Sequence, residues 1–317
     1  MQATSVLSKR WRHTWTNITT LDFDDEKNLR RLYELSRICP EGKELKKVRY
    51  VDWVDDVFPT HRAPYIERFR VSFDIGPRKS IDEWIQFAMK RGVQILELDF
   101  LERPAYSRSS TPVRYSLSQN VFGIEKGYGL NPSCSDIPSD HIGFKSLKVL
   151  DLQSVDVTGN VIEDLLSNFQ VLERLSVSDS SKLVDLRIIN PSTSLKYLMI
   201  QRCYKIRRIE IYNANLVSFV YDTGKAFIYD PVEIDLVLKS LPLLVEVSLG
   251  AIHSIDFAEV APQICCLSQL ETLKLSNLSL SYNISNINQS QAFGIGRERV
   301  LVLRPQNFEY KTRISTS

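Results

Sequence analysis

The side chains that could do chemistry are few and scattered. The four histidines, His13, His61, His141 and His253, form no H-x-x-x-H or H-E-x-x-H pair, the spacing that sets two imidazoles on one helix face around zinc. The five cysteines, Cys39, Cys134, Cys203, Cys265 and Cys266, include no C-x-x-C. The adjacent Cys265 and Cys266 suit neither an ordinary disulfide nor two corners of a tetrahedral metal site. Gly127 with Gly129, and Gly294 with Gly296, lack the third glycine and the strand-to-helix setting of a nucleotide loop. Asp22, Asp24, Asp25 and Glu26 cluster without the spacing of a calcium loop, which reads as a solvated turn. "KKVRY" and "RCYKIRRIEI" interleave cations with aromatics as a nucleic-acid surface does. Acids stand beside them, however, and the net charge is only +2 from 40 basic and 38 acidic residues, too small for a broad cationic field. The expectation is a chain with no catalytic, cofactor or metal site and no nucleic-acid partner.

The same residues bound the compartment. Unpaired thiols fit a cytosolic or nuclear protein. No apolar run reaches the roughly eighteen residues of a membrane-spanning helix, so no membrane partner is expected. Lys9, Arg10 and Arg12 occupy the place of a secretory h-region.

What does organise the chain is a repeat. Apolar residues recur as φ-x-x-φ-x-φ at Ile66, Phe69, Val71; Val93, Leu96, Leu98; Leu147, Leu150, Leu152; and Leu172, Leu175, Val177. The pattern continues at Leu195, Leu198, Ile200; Leu216, Phe219, Tyr221; Leu244, Val247, Leu249; and Leu270, Leu273, Leu275. Successive starts are separated by one leucine-rich-repeat length, roughly 20 to 29 residues, except for the step from Val93 to Leu147. That step is double the others and predicts a degraded coil near "VRYSLSQNVF". Each coil then supplies one parallel strand and a returning segment, and coils stack only on their neighbours.

The returning segments divide into two kinds. "SIDEWIQFAMKRG", "GNVIEDLLSNFQ", "DPVEIDLVLKSLP" and "FAEVAPQICCLS" read as helices; Trp84, Ile85, Ala88 and Met89 show the spacing in the first. In the middle of the chain, Leu183, Leu186, Ile188 and Ile206, Ile209, Ile211 repeat the strand motif half a coil out of phase, leaving no room for a helix. Strands on both faces and flatter coils are expected from 172 to 221. The fold class is therefore α/β, a leucine-rich-repeat solenoid of parallel strands with helices or second strands on the convex side. Residues 101–143, rich in Pro, Ser and Gly, read as a loop insertion projecting from it, with a weak strand near Tyr115 to Leu117. After residue 280 an irregular tail is expected over 281–317, with "RVLVL" as a candidate edge strand.

The wording of several segments carries a resemblance. "TSVLSKRWRHTWTNITTLDFDD", "VDWVDDVFPTHRAPYIERFRVSFDI", "IDEWIQFAMKRGVQILELDF" and "FKSLKVLDLQSVDVTG" resemble plant F-box/leucine-rich-repeat proteins, from the N-terminus to about residue 278. The resemblance implies that residues 1–20 are the C-terminal part of a helical F-box, that "LDFD" begins the first repeat strand, and that 21–280 form the solenoid. It implies a Skp1-type adaptor as partner and, for the relatives, the role of substrate-recognition subunit of an SCF-type E3 ubiquitin ligase. Leu7, Arg10, Trp11 and Trp15 fall in the adaptor-binding stretch; were it helical, Leu7, Trp11 and Trp15 would share one face. An F-box of this family is about twice as long, so a remnant lacking much of the adaptor-contacting half is expected. The alternative is a stand-alone repeat module or decoy that binds a target without recruiting a ligase.

Target binding in a solenoid falls to the non-core side chains of the strands. Alternation puts Arg68, Arg70, Ser72, Glu97, Asp99, Asp151, Ser176 and Ser178 outward in the first coils. It also exposes Arg174, Tyr197, Met199, Gln201, Val220, Asp222, Glu246 and Lys274 as the candidate contacts with an unidentified target protein, since apolar groups among polar ones suit a protein interface.

Overall fold

The computed structural model describes residues 14–24, 40–73, 79–100, 114–122, 145–191, 194–224, 234–250, 257–276 and 301–303. The strands are β1 (Thr20–Asp24), β2 (Arg68–Ser72), β3 (Ile95–Asp99), β4 (Val149–Gln153), β5 (Arg174–Ser178), β6 (Asp185–Ile189), β7 (Tyr197–Gln201), β8 (Arg208–Tyr212), β9 (Ser218–Asp222), β10 (Asp235–Lys239), β11 (Glu246–Gly250), β12 (Thr272–Ser276) and β13 (Leu301–Leu303). Ten of them form one open sheet in the order β1-β2-β3-β4-β5-β7-β9-β11-β12-β13. The first nine run parallel, and β13, the last three residues of "RVLVL", closes the end antiparallel to β12.

Register follows the repeat without a slip. Phe69, Leu96, Leu150, Leu175, Leu198, Phe219, Val247 and Leu273 stand side by side in one row across the sheet, each no more than 1% exposed. Val71, Leu98, Leu152, Val177, Ile200, Tyr221, Leu249 and Leu275 make the next buried row. Because side chains alternate with period two, one face of every strand is committed to the core and the other to water. Leu21 and Phe23 extend both rows into β1, where the resemblance places the first repeat strand.

The backing layer covers those rows. Helices α1 (Pro40–Val57), α2 (Lys79–Lys90), α3 (Gly159–Asn168) and α4 (Phe257–Cys265) lie behind the coils near either end. Three of these are the helices expected from spacing. Helix α1 is an addition, although Tyr50, Val54 and Val57 stand at helical intervals and Pro40 suits a first turn. Tyr50 stacks on Phe73 with ring centroids 4.1 Å apart and donates its hydroxyl to Phe23 O at 2.5 Å. Trp84 of α2, fully buried, donates Nε1–H to Asp55 Oδ1 of α1 at 2.5 Å. Between α3 and α4 the backing becomes a second parallel sheet, ordered β10-β8-β6, which includes the expected strands on the Leu186/Ile188 and Ile209/Ile211 motifs.

Three expectations are corrected here. "DPVEIDLVLKSLP", expected to be helical, carries β10 in its described part: Ile234, Leu236 and Leu238 are buried while Asp235 and Lys239 face water. That is a period of two, and β8 offers it a parallel edge to pair with. Nor is there a separate coil near "VRYSLSQNVF", because β3 pairs directly with β4. Residues 114–122 do not project either. Ser116 makes a parallel bridge to Asp156, and a short 3-10 turn, Gln119–Phe122, packs between α2 and α3 with Val121 and Phe122 buried. The segment is the backing half of one long coil. The remainder of 101–143 lies outside the described residues.

Each edge of the small sheet meets a helix in its own way. On the β10 edge, Gln263 of α4 accepts Leu238 N–H at 2.8 Å and donates to Leu236 O at 3.3 Å, so its amide continues the ladder where a helix replaces a strand. On the β6 edge, Gly159 opens α3 so close to Asp185 O that a Cβ would lie 2.0 Å from it.

Sharp corners hold the narrow coils together. The residue after a strand takes a left-handed conformation at Ser154, Asp179, Asn190, Arg202, Asn213 and Ser240, with φ between 46° and 57°. The N–H of five of these donates to the last carbonyl of the next strand in its sheet, as from Asp179 to Gln201 O at 2.9 Å and from Asn213 to Lys239 O at 3.2 Å. The corner therefore turns the chain and adds one more rung to the ladder. Asn213 also donates its amide to Asn190 Oδ1 at 2.8 Å. A β-branched residue there is strained by about 1–3 kcal/mol. Asn213→Val is expected to lower the unfolding free energy, measured in urea, by an amount of that order, and Asn213→Gly to retain most of the stability; equal loss in both variants would show that the corner conformation is not the cause.

A candidate protein-binding face

Among the described residues the nine parallel strands carry no layer on their outward side, and their outward residues form three rows fixed by register. The centre row reads Asp22, Arg70, Glu97, Asp151, Ser176, Met199, Val220, Ser248 and Lys274. Its flanking rows start at Thr20 and Asp24. The face is polar at both ends and apolar between them.

At the β1–β3 end the charges pair with one another. Arg68 donates to Glu97 Oε2 from Nε at 2.8 Å and from Nη2 at 2.6 Å. Arg70 reaches Asp24 at 3.0 Å and Asp22 at 3.7 Å. The hydrogen bond to Glu97 raises the pKa of Arg68. At the other end Lys274 pairs with Glu246 at 2.5 Å, and Ser218 adds a hydrogen bond to the same carboxylate at 3.2 Å. The bond from Lys274 is the main cause that lowers the pKa of Glu246.

The middle differs. The guanidinium of Arg174 stands over the ring of Tyr197, 4.6 Å from its centroid, an orientation attractive through the ring quadrupole. Tyr197 is 37% exposed, and Met199 and Val220 are half-buried beside it in adjacent strands. Gln201 and Asp222 follow in the third row. All eight candidate target contacts thus lie on this one face, over the five strands from β5 to β12. Three outward serines stand on this face as expected but are covered. Ser72, Ser176 and Ser178 are 4%, 2% and 4% exposed: the pleat points them outward, but their side chains are short and neighbouring ones cover them.

Asp151 is the residue of this face whose importance only the structure brings out. It sits in the centre row between Glu97 and Ser176, half-buried. Burial raises its pKa and the neighbouring Glu97 raises it further, against the opposing effects of Ser176, Arg174 and Arg70. Nothing in "VLDLQ" distinguishes it from any other outward aspartate.

Of the candidate adaptor contacts, Leu7, Arg10 and Trp11 lie outside the described residues. Trp15 falls in a 3-10 turn, Thr14–Asn17, so the i, i+4 spacing of an α-helix does not extend to it. This stretch is fastened to the first coils. Thr16 O accepts Arg62 N–H at 2.6 Å and Ala63 N–H at 3.2 Å, and Thr19 O accepts Glu67 N–H at 2.8 Å and Arg68 N–H at 3.3 Å. His61, 4% exposed, links the same two parts through Nε2, 2.9 Å from Ile18 O, and Nδ1, 3.0 Å from Arg91 Nη1. A guanidinium only donates, so Nδ1 accepts and Nε2 carries the proton: the imidazole is neutral. Burial is the main cause that lowers the pKa of His61; the bond to Ile18 O opposes it and Arg91 adds to it.

Cys203 is buried, and burial pushes its thiol up to about 12. Cys203, Cys265 and Cys266 are free thiols. Among the described residues no three His, Cys, Asp or Glu side chains gather to hold a metal ion, and no helix is long and apolar enough to cross a membrane.

An open parallel sheet of in-phase leucine rows, backed coil by coil on one side only, defines a leucine-rich-repeat solenoid. Residues 66–285 match the family described as "At1g61320/AtMIF1, LRR domain", and the chain belongs to it. Its curated relatives are plant F-box/leucine-rich-repeat proteins of Arabidopsis thaliana. One, named for F-box, FBD and leucine-rich-repeat segments (At5g62970), is 26% identical over 91% of this chain and 62% of its own length. The F-box/LRR-repeat protein At2g42730 is 26% identical over 75% of this chain and 50% of its own, and the F-box/FBD/LRR-repeat protein At1g13570 is 30% identical over 62% and 42%. The chain therefore spans about half the length of the relatives it matches. No solved structure matches it.

The His61 junction makes stability depend on pH in a defined direction. With the folded pKa below the unfolded value of about 6.5, the unfolded chain takes up the proton first, so stability falls as pH drops below about 6.5. Urea midpoints between pH 7.5 and 5 are expected to fall less in His61→Gln than in the unaltered chain; identical pH profiles would show that His61 does not titrate this way.

Proposed function

We propose that this protein is the substrate-recognition subunit of an SCF-type E3 ubiquitin ligase, in which the outward face of the ten-stranded sheet binds a target protein. The observation that carries this reading is the centre of that face. Tyr197, Met199 and Val220 are apolar groups left in contact with water at neighbouring positions, while the rows behind them are sealed. A protein interface takes this form, an apolar centre inside a charged rim. Glu246 with Lys274 on one side and Arg68 with Glu97 on the other supply the rim.

In this reading residues 1–20 are the end of an adaptor-binding module, 21–280 the target-binding solenoid and 281–317 a C-terminal tail. Leu7, Arg10, Trp11 and Trp15 contact a Skp1-type adaptor. Arg174, Tyr197, Met199, Gln201, Val220, Asp222, Glu246 and Lys274 contact the target. Support for the adaptor comes from the F-box in the relatives' names. The chain itself performs no covalent step. It raises the effective concentration of target lysines near the ubiquitin-transferring subunits, and works in the cytoplasm or nucleus. The hydrogen bonds that the carbonyls of Thr16, Ile18 and Thr19 accept from the first coils would keep module and solenoid in a fixed relation, as such delivery needs.

Binding of purified Skp1-type adaptor to the chain, measured by calorimetry, tests the first half. A Kd of about 1 µM or tighter, weakened at least tenfold by Trp11→Ala, is expected. Absence of binding would instead support a stand-alone interaction module. For the second half, Met199→Arg is expected to remove captured proteins without changing adaptor affinity, read by quantitative mass spectrometry of paired pull-downs. An unchanged captured set would reject the face.

A further inference from the structure

The strands that flank the apolar centre are unequal in charge. On the outward face of β1–β4, Asp22, Asp24, Glu97, Asp99 and Asp151 stand against only Arg68 and Arg70, whereas the whole chain is at +2. Both guanidinium groups are engaged, Arg68 with Glu97 and Arg70 with Asp24 and Asp22. Asp151 has no ion-pair partner among the described residues. The next cation along the sheet, Arg174, lies over Tyr197. A half-buried carboxylate beside a second carboxylate, near Arg70 and Arg174 but ion-paired with neither, is short of positive charge.

Its position relative to the apolar groups is fixed by register. Asp151, Ser176, Met199 and Val220 occupy the same row of β4, β5, β7 and β9. Ser176 is small and covered, so a partner laid across the row meets Asp151 and then Met199. Adjacent strands lie about 4.8 Å apart, which puts Met199 about 10 Å and Val220 about 14 Å from Asp151 along the row. An extended segment advances about 3.3 Å per residue, so that gap corresponds to about three or four residues.

Resting on the reading of this face as the target-binding surface, we infer that the target presents a segment with a lysine or arginine about three or four residues from an aliphatic or aromatic side chain, the cation seated on Asp151 beside Glu97 and the apolar group on Met199 and Val220. Charge complementarity selects a basic segment of a protein. An acidic one, or a phosphate backbone, would meet like charge at Asp151.

The test uses the full chain and a random dodecapeptide display library as the probe. Selected peptides are expected to be enriched in Lys or Arg at that spacing from an apolar residue. A synthetic peptide from the enriched set should bind Asp151→Asn about tenfold more weakly, bind Asp151→Lys more weakly still, and regain affinity for Asp151→Lys when its cation is replaced by Glu. Asp151→Asn preserves the shape of the side chain, and circular dichroism confirms that each variant is folded. Peptides that lose affinity with Met199→Arg but not with Asp151→Asn, or that show no basic enrichment, overturn the inference and leave the face standing. No selected peptide, or peptides indifferent to both variants, overturns the inference and the face together.

Discussion

Everything in this molecule depends on nine parallel strands stacking in phase, so that a leucine in one coil always meets a leucine, or its equivalent, in the next. Parallel pairing fixes the rise between coils, and the period-two alternation fixes which side chains point inward. The two buried rows that result run the length of the sheet, from Leu21 and Phe23 to Leu273 and Leu275, at no more than 3% exposure. Each row residue packs against its own coil's backing and against the rows of two neighbours. A shift of one residue in any strand would turn both rows of that strand outward and present charged groups to the core. The same rigidity makes the outer face a surface of set spacing, with Asp151, Met199 and Val220 held at multiples of the interstrand distance.

The backing layer has more freedom, and the chain uses it. Where a coil is long, as between β2 and β3, a helix fits behind the strand. Where coils are shorter, as from β5 to β9, a second strand takes its place, and the coil from β9 to β11, as long as a helix-backed one, also carries a strand, β10, paired to β8. The left-handed corners at Asp179, Asn190, Arg202 and Asn213 make these narrow coils possible. Switching between the two backings leaves ladder edges to satisfy. Gln263 satisfies one by imitating a peptide group, and Gly159 lets α3 approach the other. The coil between β3 and β4 is the longest departure: of its connecting chain, 114–122 seal the space between α2 and α3.

Much of this is legible in the residues. The φ-x-x-φ-x-φ spacing locates eight strands of the main sheet, and the half-coil offset at Leu186 and Ile209 announces the second strands. The resemblance adds β1, whose "LDFD" is too short to carry a periodic signal. Spacing misleads where two periods compete. "VEIDLVLKSLP" satisfies a helical spacing about as well as a strand spacing, and only the waiting edge of β8 decides for the strand. Helix α1 escapes notice because its charged first half masks the Tyr50, Val54, Val57 stripe. Ser72, Ser176 and Ser178 stand on the expected face yet are covered, because exposure depends on the height of the neighbours and alternation reports only direction.

The sequence by itself determined which side chains are inside and how far apart the coils lie, because burial of apolar rows is written in a period of two and in the repeat length of the coil, and both are read along the chain. Tertiary structure alone decided what the outer face can hold. Glu97, Asp151 and Met199 belong to strands separated by whole coils of chain. Their nearness in one row arises from the stacking of those coils, and the charge shortage at Asp151 arises from where Arg68, Arg70 and Arg174 turn instead. Electrostatic environment is a property of neighbours in space, and in a solenoid those neighbours are a whole coil away in sequence.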